Sequence, residues 1–163
     1  MSLLDELLSA NAAFAATSEA SRAPSRPALG LAIVTCMDAR LNVEHMLGLQ
    51  AGDAHILRNA GGVVTDDVIR SLVISQRLLG TRVILLIHHT DCGMLTFRDD
   101  DMRREIEREI GIRPPFAFDA FADLAADLHQ SVRRIVACPF LSHKDDIAAL
   151  IYDVHTRRLT RVV

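Results

Sequence analysis

Three residues of metal-ligand type, Cys36, His89 and Cys92, open or close short polar motifs in this chain. His89 and Cys92 form an H-x-x-C pair, and Cys36 begins the run Cys36-Met37-Asp38-Ala39-Arg40. Two thiolates and one imidazole make a borderline-soft donor set that suits zinc. Three protein donors leave a fourth position open, which marks a catalytic rather than a structural zinc. A strand-end cysteine alone is usually a small buried hydrophobe, and an isolated H-x-x-C arises by chance, so the metal reading rests on the combination. Spacing does not choose between the adjacent histidines, because His88-x-x-x-Cys92 would also serve zinc. Asp38 and Arg40 can form a charge-assisted pair. On an open turn such a pair contributes little; beside three metal donors its carboxylate can orient a reactive water.

These residues need elements that bring them together. Leu31 to Thr35 is an apolar, β-branched run and reads as a buried strand with Cys36 at its carboxyl end. Asn42 is placed to cap a short helix through Met46, ended by Gly48. Ala54 to Leu57 reads as a second strand, followed by a tight turn, Asn59-Ala60-Gly61-Gly62. Thr65 caps a helix with Asp66 and Asp67 in its first turn, Ser71 and Ser75 on its apolar side and Gly80 at its stop position. Arg82 to Ile87 reads as the third strand, with His89 and Cys92 just past its end. Asp99 to Ile110 and Phe118 to Ala137 read as helices separated by Pro114-Pro115. Ile147 to Asp153 and Leu159 to Val163 read as two strands around a polar turn, able to pair as an antiparallel hairpin at one edge. Early strands alternating with helices predict a single-domain α/β fold with a mainly parallel central sheet flanked by helices. In such sheets ligands bind outside the strand carboxyl ends, where neighbouring strands send their helices to opposite faces. Adjacent first and third strands would bring Cys36 to His89 and Cys92 at that point.

The stretch from Ile33 to about Thr96 resembles the β-class carbonic anhydrase family. Its pattern, C-x-D-x-R followed at a distance by H-x-x-C, is met by Cys36-x-Asp38-x-Arg40 and His89-x-x-Cys92, with Arg58-Asn59-Ala60-Gly61-Gly62 between them. The resemblance implies one Zn2+ per chain on Cys36, His89 and Cys92, with the catalytic pair Asp38 and Arg40 beside it. It implies reversible hydration of carbon dioxide to bicarbonate and a proton by a metal-bound hydroxide. It also implies a homodimer, with a tetramer as the larger alternative, because the family's cleft lies at a subunit interface. Many members carry glycine where this chain has His88, so the family pattern selects His89 and sends His88 behind the site. The backbone of Asn59, Ala60, Gly61 and Gly62, with Gly93, is expected to line the pocket; Met94 and Phe97 follow Cys92 closely and fit either a pocket wall or plain apolar packing. Two thiolates cancel the charge of the zinc dication, so activity should favour alkaline pH. If Asp38 turned in as a fourth ligand the site would close, and Arg40 is the residue able to hold it away. Residues 1–27 are expected to form an N-terminal helix and linker arm, shortened relative to the family, and residues 28–163 the zinc-binding catalytic domain.

Two other functions share these features. Carbonyl sulfide and carbon disulfide hydrolases use the same ligands on similar cumulenes, and a non-catalytic zinc-stabilised binding protein would keep the cysteines without needing Asp38 and Arg40. Composition narrows the field further. The chain has 163 residues, 18 basic against 21 acidic, and no basic stripe, which argues against nucleic acid. The N-terminus carries Asp5 and Glu6 without a basic leader, and the longest strong apolar run, Val83 to Ile87, is strand-sized. The expectation is a cytoplasmic protein with no membrane partner, whose three cysteines serve metal or reactivity rather than disulfides. Cys138, before Pro139, reads as structural, and His45, His55, His129, His143 and His155 as scattered surface or core histidines able to shuttle protons.

Overall fold

The computed structural model describes residues 2–17 and 24–163; the expected linker from Ser21 to Pro27 falls partly outside them. The elements are α1 (Leu3–Thr17), β1 (Leu31–Cys36), α2 (Val43–Leu47), β2 (Ala54–Asn59), α3 (Asp66–Arg77), β3 (Val83–His89), α4 (Asp99–Ile110), α5 (Leu124–Ala137), β4 (Ile147–Tyr152) and β5 (Leu159–Arg161). They build one five-stranded sheet in the order β2-β1-β3-β4-β5. The first four strands run parallel and β5 pairs antiparallel with β4. The α/β class and the C-terminal antiparallel edge are as the alternation of elements predicts.

Local chemistry sets the helix ends. Asn42 Oδ1 accepts from the His45 N–H at 3.0 Å, and Gly48 closes α2 in the left-handed region at φ 69°. Thr65 Oγ1 accepts from Val68 N–H at 3.3 Å and starts α3. The last long helix begins later than the apolar pattern predicts, at Leu124 rather than Phe118. The Asp99 carboxylate explains this, because it binds the N–H groups of Phe118, Asp119 and Ala120 and holds them in a loop. Asp123 then caps α5 by accepting from Ala126 N–H. β3 also departs from expectation: it continues through His88 and His89, so His89 is its last residue and not part of the following loop.

Strand alternation divides the core. Ala32 and Val34 pack with Val68 and Leu72 of α3 and Leu128 and Ile135 of α5. Ile33 packs with Val43 of α2 and with Leu41, Ile87, Phe121 and Tyr152. All of these but Val68, Phe121 and Tyr152 are at most 2% exposed, and each such Val, Leu or Ile side chain contributes roughly 1.5–3 kcal/mol of burial. The chain leaves β1 through α2 to reach β2 on one side, and leaves β3 for β4 on the other. The gap between the carboxyl ends of β1 and β3 is therefore the point where strand order reverses, and there the sheet leaves a crevice. Among the described residues, no helix is long and apolar enough to cross a membrane.

Candidate metal centre and active site

Cys36 ends β1, His89 ends β3, and Cys92 follows after two residues. Their ligand atoms all lie within 4.8 Å of one another, and all three residues are buried. His89 is oriented by its other nitrogen. Nδ1 lies 2.9 Å from the Thr90 carbonyl, which can only accept, so Nδ1 carries the proton. In the neutral ring Nε2 is then a bare lone pair, buried and without a hydrogen-bond partner. A buried acceptor with no donor is costly, and a metal ion is the natural partner for an imidazole held this way.

The sulfurs lead to the same conclusion. Burial pushes the Cys36 thiol up, but the His89 ring and the N–H groups of Asp38 and Gly61 outweigh it and bring it down to about 7. Burial pushes Cys92 up to about 11, and the neighbouring Cys36 adds to the rise. Burial disfavours charge on His89, but the adjacent Cys36 sulfur, the Thr90 carbonyl and Asp38 together outweigh it, so its pKa is raised. Two adjacent sulfurs cannot both be thiolates without a cation to neutralise them. A divalent ion would do so, and the donor set of two sulfurs and one nitrogen fits zinc.

Asp38 and Arg40 stand at the rim. Arg40 Nε donates to Asp38 Oδ1 at 2.9 Å and Nη2 donates to Oδ2 at 2.7 Å, a bidentate grip. The backbone N–H of Arg40 also reaches Oδ1. These bonds hold the Asp38 carboxyl well below the usual carboxylate range. Arg40 turns its remaining donors to Asp91, to the carboxylate at 2.8 Å and the carbonyl at 3.0 Å. Asp91 needs that support, since it adopts φ 57° without being glycine, a conformation that costs energy and clusters at functional sites. Asp38 Oδ2 comes within 3.8 Å of His89 Nε2. The carboxylate is thus beside the cluster but tied away from it.

A cavity of about 380 Å³ opens over these groups. Ala60, Gly61 and Gly93 line it, together with Met37, Met94, Thr96 and Phe97. Asn59 and Gly62 lie elsewhere. Asn59 ends β2 and donates to the Val63 carbonyl, and Gly62 is pressed against the β1 backbone at Thr35 and Cys36. His88 points behind the site, where its ring stacks on Phe121 at 5.0 Å and Nε2 bonds Asp127 at 2.8 Å. Phe121 and Asp127 carry no sequence motif, and only the fold brings them to His88. Asp91 stood between the expected ligands, yet its role depends on a backbone angle that residue type does not report. His55 is tied to Ser75, which also bonds Thr81; Cys138 caps α5.

The comparisons agree with this geometry. The family model for carbonic anhydrase matches residues 31–113. A β-carbonic anhydrase of Mycobacterium tuberculosis is 51% identical over 162 residues, 99% of each chain. A carbon disulfide hydrolase of Saccharolobus solfataricus is 36% identical over 153 residues, covering 79% of this chain and 75% of its own. The crystal structure of a Streptococcus mutans carbonic anhydrase superposes with a TM-score of 0.94 at 42% identity, covering 100% of this chain and 99% of that one. The chain belongs to the β-carbonic anhydrase family and is an enzyme of that class.

Proposed function

We propose that this enzyme catalyses the reversible reaction of carbon dioxide with water to give bicarbonate and a proton, with zinc held by Cys36, His89 and Cys92. The observation that carries the reading is the bare, buried Nε2 of His89 beside two buried sulfurs. When bound, zinc supplies Lewis-acid activation of a water molecule near neutral pH. The chain's own residues do the rest. Asp38, kept ionised by Arg40, accepts a hydrogen bond and so orients the attacking water. Met94 and Phe97, on the wall of the cavity, exclude bulk water and favour a small, uncharged, linear substrate. Carbon dioxide is preferred over carbon disulfide because the carbonic anhydrase relative matches nearly the whole chain, at 51% against 36% identity. On the same reading residues 28–163 are the catalytic domain, in a cytoplasmic homodimer. Leu3, Leu4, Leu7, Leu8 and Phe14 of α1, all well exposed, favour an arm that covers a second copy.

The test is oxygen-isotope exchange between carbon dioxide and water, measured across pH on protein of known zinc content, with carbon disulfide run alongside. The expected result is one zinc per chain and turnover that rises towards alkaline pH and exceeds that on carbon disulfide. Arg40→Ala should keep its zinc and lose turnover by orders of magnitude, because the released carboxylate can turn towards the cluster. Asp38→Ala should keep residual activity without a low-pH shut-off. Near-normal turnover in Arg40→Ala at every pH would reduce the pair to an ordinary turn ion pair.

A further inference from the structure

We infer that Arg58 is a positioning residue for this site, a clamp on the main chain that carries Cys36 and Asp38. Arg58 is the penultimate residue of β2, and its guanidinium binds three backbone carbonyls of one short segment. Nε donates to Cys36 O at 2.9 Å, Nη2 to Asp38 O at 2.6 Å and Nη1 to Leu41 O at 3.0 Å. The acceptors are the last residue of β1, the middle of the following loop and its exit into α2.

That segment has little else to define it. The ladder between β1 and β3 ends at Thr35 opposite Ile87. The ladder to β2 closes with Met37 N–H donating to Asn59 O at 2.8 Å. Around and beyond that point the main chain has a turn bond, Leu41 N–H to Asp38 O at 3.1 Å, the Arg40 N–H bond to the Asp38 carboxylate, and the three bonds from Arg58. The two arginines therefore divide the work on Asp38: Arg40 fixes the carboxylate, and Arg58 fixes the backbone from which it hangs. A bidentate grip on a side chain orients it only if its α-carbon is itself held. The planar fork of arginine reaches three carbonyls at fixed angles, which the single ammonium of lysine cannot reproduce. Arg58 is exposed and belongs to neither apolar cluster, so removing it leaves the core intact. The consequence falls on geometry at the site more than on the fold.

The inference rests on zinc at Cys36, His89 and Cys92, and its test has a readout apart from turnover. Arg58→Met and Arg58→Lys are compared with wild type and with Arg77→Met. Arg77 also binds a carbonyl, that of Phe140, through two donors, but away from the site. The measurements are zinc affinity by competition with a chromophoric chelator, the ligand-field spectrum after cobalt substitution, Tm, and the pH profile of hydration. Loss of such outer support typically weakens metal binding by about 10- to 100-fold. Arg58→Met should show that loss, altered cobalt bands and a rise of activity displaced to higher pH. Arg58→Lys should fall between Arg58→Met and wild type, and Arg77→Met should change Tm alone. Wild-type zinc affinity and cobalt bands in Arg58→Met would overturn the clamp, as would equal changes in Arg77→Met. Should Arg58→Met fail to fold, Arg58→Lys decides, and wild-type affinity there overturns the inference. A zinc-loaded wild type without hydration activity would instead defeat the proposed reaction and leave the affinity test standing.

Discussion

Gly62 is the position where one added methyl group reaches the metal site through the backbone. It sits at φ +70°, and a β-carbon there would lie 2.7 Å from the carbonyl carbon of Thr35, 2.8 Å from the Cys36 nitrogen and 2.9 Å from Thr35 Cα. Ordinary contact begins at 3.4 Å, so Gly62→Ala must push β1 away by about 0.7 Å, and a main chain cannot rotate aside. Two costs add. An alanine in the left-handed region costs roughly 1–2 kcal/mol, and overpacking against fixed atoms costs about 1–3 kcal/mol more. Gly48 isolates the first cost, since it has φ +69° and nothing within 4 Å of the same added carbon. Urea unfolding of the metal-free proteins should thus place Gly62→Ala about 1–3 kcal/mol below Gly48→Ala.

The larger effect should fall on function. The displaced atoms are those of Thr35 and the Cys36 nitrogen, so the shift carries into the ligand residue, and misplacement by about 1 Å can cost about 100-fold in rate. Gly62→Ala should therefore bind zinc weakly and turn over poorly, while Gly48→Ala keeps both. Gly61→Ala should lie between them, because its new carbon would meet the side chains of Met94, Phe121 and Val63 at 3.0–3.1 Å, and side chains can yield. Equal unfolding free energies for Gly62→Ala and Gly48→Ala, with full zinc in both, would show that β1 yields to the added carbon at no cost to the site.

The adjacent histidines should separate cleanly: His89→Ala loses zinc and turnover, and His88→Ala keeps the metal by direct analysis. His88→Ala should instead melt earlier, by roughly 1–3 kcal/mol, because Asp127 loses its partner; zinc loss there with retention in His89→Ala would reverse the assignment. Asp99→Asn should destabilise at neutral pH by about 1–3 kcal/mol, since the carboxylate accepts three backbone N–H bonds. Burial raises the Asp99 pKa, but those bonds outweigh it and the net shift is downward. A depressed folded pKa gives stability that is present above the unfolded value of about 3.9 and is lost as pH falls through the folded one. The gap between Asp99→Asn and wild type should thus begin to narrow below about pH 4 in acid titrations followed by circular dichroism, and a gap that does not narrow as the pH falls further would count against the carboxylate's role.

The elements of this fold were legible where one physical signal dominates. Leu31 to Thr35 could only be a buried strand, and Asn42, Gly48 and Thr65 announced helix ends through side-chain capping and backbone freedom. The errors have physical causes too. His88 and His89 read as polar and cut the third strand short, yet both are fully buried, because each ring finds a fixed acceptor, Asp127 or the Thr90 carbonyl. Phe118 to Asp123 read as helix because its apolar pattern fits one. The Asp99 carboxylate, some twenty residues earlier, outbids the helix for those N–H groups, and no local pattern can report a partner so distant. In the site, the Cys36, His89 and Cys92 motif was readable, whereas Arg58's bonds to carbonyls were not, since any residue type could supply the acceptors.

The site's geometry depends on a failure of strand periodicity. Along β1, alternation sends Ala32 and Val34 to one core cluster and Ile33 to the other, and parity would place Cys36 with Ala32 and Val34. Cys36 packs instead with Ile33, Ile87 and Cys92. The change comes where the ladder to β3 has ended at Thr35 and only the pairing with β2, Cys36 opposite Asn59, still holds the strand. From that point side-chain bonds replace the sheet as the source of order: Arg58 on the loop carbonyls, Arg40 on Asp38 and Asp91, and the Thr90 carbonyl on His89. The crevice between β1 and β3 is thus where a ligand fits and where side-chain bonds supplement the ladder, with the two arginines on the loop after Cys36 and the Thr90 carbonyl on His89. This division explains why substitutions at Arg40 and Arg58 should alter chemistry while those at Leu72 or Ile84, both fully buried, should alter stability alone.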